Sequence, residues 1–162
     1  MPIIKIELTV NAPVERVFDL ARCIDLHEAT MLTHKEKAID GVTKGLIRMG
    51  ESVTWEATHF GIKQKLTSKI TAFERPKHFR DSMVKGAFRR FDHDHFFEQT
   101  GEQTLMKDAF DYNSPLGILG KIADALFLEK YMREMLAERN CLIKKIAESD
   151  DWRKFLNGTP AS

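Results

Sequence analysis

Apolar and polar residues alternate along most of this chain, and the alternation gives way to helical spacing in three places. Ile4, Ile6, Leu8 and Val10 alternate with Lys5, Glu7 and Thr9, which predicts a half-buried strand. Asn11-Ala12-Pro13 then interrupts the pattern. Pro13 suits the first turn of a helix, and Val14, Val17, Phe18 and Ala21 follow at helical spacing. A second short helix is predicted over 24–32, a short strand over 35–40 and a turn over 41–45.

Two longer segments read as hairpins. In the first, Val53, Trp55 and Ala57 share one face, and Ile62, Gln64, Leu66, Ser68 and Ile70 share one face after Phe60-Gly61. A turn at Phe60-Gly61 sets Trp55 opposite Leu66, Ala57 opposite Gln64, and Glu56 opposite Lys65 on the outside. A further strand carries Phe79, Asp81 and Met83 into Gly86. The second hairpin spans 88–113. Phe88, Arg90, Asp92, Asp94, Phe96 and Glu98 are too charged a set to bury, so Arg89, Phe91, His93, His95, Phe97 and Gln99 are predicted to face inward. Lys107 and Asp111 mark the outer face of the return strand, which turns Met106, Asp108, Phe110 and Tyr112 in. A turn at Thr100-Gly101 sets His93 opposite Asp108, Phe91 opposite Phe110 and His95 opposite Met106. It also pairs Asp94 with Lys107 and Arg90 with Asp111. The inner side of this hairpin therefore holds two imidazoles and a carboxylate. Burying such groups without partners costs on the order of a few kcal/mol each, so a cavity suits them better than a plain core.

From 116 to 147 the spacing is helical, with Leu119, Ile122, Leu126, Met132, Met135, Leu136, Leu142, Ile143 and Ile146 on a stripe. Such a helix is about 45 Å long and crosses a whole domain. The predicted class is α+β: one strand, two short helices, a run of antiparallel strands and a long C-terminal helix. Uncrossed connections favour one sheet curved around that helix. One domain over 1–147 and a loosely held tail over 148–162 are expected.

Composition narrows the function classes. The 162 residues carry a formal net charge of +1, with 43% hydrophobic and 30% charged residues. No basic excess points to nucleic acid. No apolar run is long enough to insert in a membrane. The two cysteines, Cys23 and Cys141, have neither disulfide-framework nor zinc-motif spacing, which fits a reducing, cytoplasmic setting. P-loop, GxGxxG, GxSxG and HExxH signatures are absent from the sequence.

The order of elements resembles the SRPBCC superfamily, the START and Bet v1-like helix-grip fold, over 3–147. The resemblance rests on Asn11-Ala12-Pro13 with Val17-Phe18, on Val53-Thr54-Trp55-Glu56-Ala57 with His59-Phe60-Gly61, on 88–97, and on Tyr112 with Pro115-Leu116-Gly117. These pieces look like the bacterial ligand-binding group described as polyketide cyclase/dehydrase-like. The resemblance implies a curved seven-stranded antiparallel sheet gripping the long helix, with an apolar cavity for a lipid, polyketide, quinone or aromatic molecule. It brings no catalytic residue, because no motif here matches a defined catalytic set, and one fold hosts many functions.

Beside that resemblance, the residues themselves nominate a site. Trp55, Phe79, Phe91 and Tyr112 are expected to contact an apolar ligand body, and Gln64, Asp81, His93, His95 and Asp108 its polar end. The mouth is expected near the short helices and Ser114-Pro115. In an enzymatic alternative, a cyclase, dehydratase or hydrolase, His93 is the base and Asp108 orients it. The plainer reading of the same residues is a self-satisfying polar network. No cofactor or metal is expected: Asp108 would be the third ligand beside His93 and His95, and Phe91, Phe97 and Met106 are poor company for an ion. Glu51 and His59 are placed at the rim or in solvent, and Lys130, Arg133 and Arg139 on a solvated helix face. A protein-interaction module is disfavoured by the polar outer face, which carries Thr54, Glu56, Lys63 and Lys65.

Overall fold

A computed structural model describes residues 3–114 and 127–157. The first strand, β1 (Ile3–Val10), is followed by α1 (Val14–Ala21), α2 (Ile24–Thr30) and a short 3-10 turn (Leu32–His34). Six strands come next: β2 (Lys37–Gly41), β3 (Ser52–His59), β4 (Ile62–Glu74), β5 (His78–Lys85), β6 (Arg90–Thr100) and β7 (Gln103–Asn113). The long helix is described as α3 (Glu129–Glu148), and α4 (Trp152–Leu156) follows it. The expected start of the long helix, with Leu119, Ile122 and Leu126, lies outside the described residues, as does Pro115.

All seven strands form one antiparallel sheet in the order β1-β7-β6-β5-β4-β3-β2. β1 closes onto β7, and the two short helices carry the chain from one sheet edge to the other. α3 packs along β1 and against both short helices. This is the curved sheet and gripped helix that the element order implied.

Alternation set the faces. Ile4 and Val10 of β1, Val53, Trp55 and Ala57 of β3, and Met106, Asp108, Phe110 and Tyr112 of β7 are buried. The β3–β4 register is as expected, with Trp55 opposite Leu66, Glu56 opposite Lys65 and Ala57 opposite Gln64. The β6–β7 register is not. Its two-residue turn is Gly101-Glu102, one position later than expected, so Thr100 pairs with Gln103. His93 therefore faces Phe110, His95 faces Asp108, and Phe91 faces Tyr112. Moving the turn by one residue moves every partner by two, which leaves inside and outside unchanged. On the outer face Asp94 takes Arg80 and His78 of β5 in place of Lys107, at 2.8 and 2.7 Å. Arg90 still reaches Asp111, diagonally, at 2.6 Å.

Two expected inward residues are exposed, Arg89 and Gln99. Gln99 instead caps α1: its Oε1 accepts the Val14 N–H at 2.8 Å. That fixes the helix start, where Pro13 supplies no backbone donor. Phe88, expected outward, precedes β6 in a bend and packs edge-on against Tyr112, ring centroids 5.5 Å apart.

Phe18 of α1 holds the lower core. It is fully buried and meets Phe73, Phe79 and Phe97 edge-on at 5.3–5.4 Å. Beside it, Asp19 accepts from Arg22 at 2.9 Å and from Arg75 of the β4–β5 connection at 2.7 Å. Arg22 is buried. Removing Asp19 strands that charge, so Asp19→Ala is expected to cost about 3–5 kcal/mol, measurable as the shift in the urea unfolding midpoint.

Of the expected loose tail, residues 149–157 are described, and they are held against the core. Trp152, Phe155 and Leu156 pack on the core, and the Arg16 guanidinium lies 4.4 Å from the Trp152 ring centroid. Their i, i+3, i+4 spacing is one more amphipathic face.

Candidate functional site

Between sheet and helix lies a cavity of about 510 Å³, within the range of small-molecule sites. Its walls include Trp55, Phe79 and Phe91 from the sheet and Met132, Met135 and Leu136 from α3. Gln64, Asp81, His93 and His95 also line it. Two expected contact residues do not. Tyr112 is fully buried in a cluster with Phe91, Phe110 and Leu136, behind the wall. Asp108 stands behind the histidines, also out of the lining.

The polar group of the cavity is built from three strands and the helix. β6 presents His93 and His95 on one face, β5 adds Asp81 opposite His93, and β7 adds Asp108 opposite His95. The two imidazoles lie 3.9 Å apart, centroid to centroid. His95 bridges the carboxylates: Nδ1 is 2.6 Å from Asp108 Oδ1, and Nε2 is 3.1 Å from Asp81 Oδ1. His93 Nε2 is 3.2 Å from the same Asp108 oxygen. Both contacts to Asp108 Oδ1 are close ion contacts that lie off the hydrogen-bonding direction.

The helix completes the group. Asn140 is buried and its amide donates to Asp108 Oδ2. Arg139 is buried, lines the cavity and donates to the Ala21 carbonyl at 2.9 Å. Its placement on a solvated face is therefore corrected. The signal was in the spacing: Met132, Leu136, Ile143 and Ala147 form the buried stripe, and Arg139-Asn140 fills the gap in it.

Electrostatics split the two imidazoles. Burial lowers the pKa of His93, and the neighbouring His95 lowers it further, outweighing the carboxylates. Burial also opposes a proton on His95, but Asp108 and Asp81 together win and raise its pKa. Burial would raise Asp108, yet the His95 charge and both ring contacts hold it well below the usual carboxylate range. Asp81 is lowered too, against its burial, by the same rings.

These directions fix a pH dependence. His95 is raised above its unfolded value of about 6.5, so its contribution is complete below that pH and drains as pH rises through the folded value. His93 is depressed, so its contribution is complete above about 6.5 and drains as pH falls toward the folded value. The two carboxylates lose theirs only at strongly acid pH. Stability is expected to peak near pH 6.5 and decline on the alkaline side. Urea unfolding across a pH series checks this, and a flat alkaline limb would contradict it. In His95→Gln that alkaline decline should vanish.

A second polar group was missed by the sequence reading, which put His59 at the rim or in solvent. The Tyr131 hydroxyl lies 2.8 Å from His59 Nδ1 and 3.2 Å from His34 Nδ1, and His59 and Tyr131 both line the cavity. Tyr131 and Arg139 are eight residues apart on α3, about 12 Å along its axis. Glu51 is exposed, as expected, and accepts from the Arg48 N–H at 2.8 Å. At the β3–β4 turn, Phe60 has φ 53° and Gly61 φ 73°. A hairpin turn with two positive φ values favours Asn-Gly, and a bulky residue there costs about 1–2 kcal/mol. Phe60 instead packs, tilted, against Tyr131 and Phe127, with ring centroids 4.6 and 5.3 Å away, and lines the cavity. Phe60→Asn should therefore raise the melting temperature while weakening dye uptake by the cavity, testable by calorimetry and dye binding on the same samples.

No protein-family model matches the chain, and no curated protein matches it by sequence. Solved structures do match it in shape. TTHA0849 from Thermus thermophilus superposes with a TM-score of 0.73 at 20% identity, covering 89% of this chain and 95% of that one. Ginseng major latex-like protein 151 from Panax ginseng gives 0.68 at 14% identity, covering 91% and 98%. A START superfamily protein from Mycobacterium smegmatis gives 0.68 at 11% identity, covering 89% and 98%. The fold shared with these structures is the helix-grip fold, a seven-stranded antiparallel sheet around a long C-terminal helix. No helix among the described residues is long and apolar enough to cross a membrane.

Proposed function

We propose that this protein binds a hydrophobic or amphipathic small molecule, such as a lipid, polyketide, quinone or aromatic compound, between the sheet and α3. The observation that carries the reading is the cavity of about 510 Å³ with mostly apolar walls and a few polar groups on it. Trp55, Phe79, Phe91 and Leu136 hold the apolar body. Asp81, His93, His95 and Arg139 read one polar end, and His59 with Tyr131 reads another. A ligand polar at both ends, with about 12 Å between them, fits best. Asp108 and Tyr112 act from behind, by fixing the wall. Native mass spectrometry of the purified protein tests the reading: a non-covalent apolar adduct is expected, lost on denaturation. Protein that carries no adduct and takes up none from a panel of fatty acids, quinones and polyphenols would end it.

One observation favours catalysis in the same cavity. Neighbouring imidazoles whose proton affinities are pushed apart are suited to acid and base roles. In that reading a polyketide-like or aromatic substrate undergoes cyclisation, dehydration or hydrolysis, with His93 as base and Asp108 3.2 Å behind it. Turnover of such a substrate by the wild type, lost in His93→Gln with binding retained, distinguishes the enzyme from the carrier.

A further inference from the structure

We propose that Asp81, His93 and His95 form a binding site for a divalent transition-metal ion whose open coordination positions face the cavity. The three residues project from the same face of neighbouring strands, since Asp81 pairs with His93 and Phe79 with His95. One ligand atom from each lies within 4.8 Å of the others. Asp81 Oδ1 is 3.1 Å from His95 Nε2 and 3.8 Å from His93 Nδ1. Ligands about a tetrahedral zinc, with bonds of about 2.0–2.1 Å, stand about 3.3 Å apart. The two separations to Asp81 thus sit near the spacing an ion requires, and the two imidazole nitrogens, within 4.8 Å of each other, close on the ion by a small ring rotation.

The far side of the rings carries an independent observation. His95 Nδ1 and His93 Nε2, the nitrogens turned away from Asp81, both contact Asp108 Oδ1, at 2.6 and 3.2 Å. Asn140 fixes the other Asp108 oxygen. A carboxylate behind a ligating histidine strengthens it as a donor. Here one buried carboxylate places its charge behind both rings, by close contact and not by a directed hydrogen bond, and both near nitrogens are left toward a second carboxylate. A network that only had to satisfy itself has no need of that shared orientation. The expectation of no metal took Asp108 as the third ligand. The fold puts Asp81 in that place and Asp108 behind.

Two imidazoles and one carboxylate suit zinc, cobalt, nickel or ferrous iron over magnesium or calcium. The ion takes the place of the proton between His95 Nε2 and Asp81 Oδ1, which leaves to water. Arg139 lines the same cavity, so the ion's open position and the guanidinium together suit an anionic oxygen on the ligand. The inference stands apart from the carrier reading, because the ion binds whether or not an apolar molecule copurifies. With the ion bound, His93 is a ligand and not a base.

The test uses the untagged full chain, stripped with a chelator and titrated with Co²⁺, then Zn²⁺. One equivalent of Co²⁺ is expected to give visible d–d bands that Zn²⁺ bleaches. Asp81→Asn and His93→Gln should each weaken binding by about 100-fold or more, with circular dichroism confirming that they fold. Zn²⁺ should raise the melting temperature of the wild type and leave that of Asp81→Asn unchanged. Absence of bands and of bound zinc in the wild type overturns the proposal. So does a cobalt spectrum or zinc-dependent melting shift that both variants retain. If neither variant folds, the wild-type titration alone decides.

Discussion

Asp108→Asn is expected to destabilise the fold by about 3–5 kcal/mol at neutral pH, the usual cost of removing one partner from a buried charge contact. Asp108 is buried, as are His93 and His95. Its Oδ1 meets both rings and its Oδ2 takes the Asn140 amide. Without the charge, His95 keeps only Asp81 to hold its proton, and burial then drives that proton off. Urea unfolding of Asp108→Asn, His95→Gln and the double variant gives the coupling. The double variant should lose much less than the two single losses added together. A loss under about 1 kcal/mol for Asp108→Asn would mean that the contact contributes packing alone.

Filling the cavity should have the next largest effect, on binding and not on folding. Ala57 is buried on β3, lines the cavity and sits opposite Gln64. Ala57→Phe places a ring where ligand carbon would lie. Displacing roughly 100–150 Å² of apolar contact at about 25 cal/mol per Å² removes about 3 kcal/mol, or roughly 100-fold in affinity. The ring enters open space, so the overpacking cost of about 1–3 kcal/mol seen in filled cores is avoided. Titration with the dye 1-anilinonaphthalene-8-sulfonate, alongside thermal unfolding, is the measurement. Undiminished dye binding by a folded variant would place the apolar site elsewhere.

How far the sequence led depends on which residues are considered. Alternation put Trp55, Phe79, Phe91, His93 and His95 on the buried face, because side-chain direction in a strand has period two. The same period made the β6–β7 register undecidable from charge pairs. A turn at Thr100-Gly101 and one at Gly101-Glu102 bury the same faces, and both bring Arg90 near Asp111. Gly101, at φ 63°, occupies the first turn position and not the second. The third strand was equally hidden: Asp94 meets Arg80 and His78 on β5, a pairing no hairpin considered alone contains. On the helix, Arg139-Asn140 reads as solvated by residue type and as buried by spacing. Spacing wins because Asp108 and the Ala21 carbonyl wait beneath it. His34, His59 and Tyr131 come together from three distant segments, so no local pattern announces them.

The grip on α3 is uneven, and that shapes what the chamber can accommodate. Around Arg139 and Asn140 the helix is tied by directional bonds to Ala21 and Asp108, which tolerate little sliding or rotation. One to two turns earlier, Met132 and Met135 meet the cavity with unbranched, pliable side chains. A guest longer or broader than the resting space therefore finds yielding walls at the methionine end and a fixed stop at Arg139, so related guests should differ in their tails and share one head.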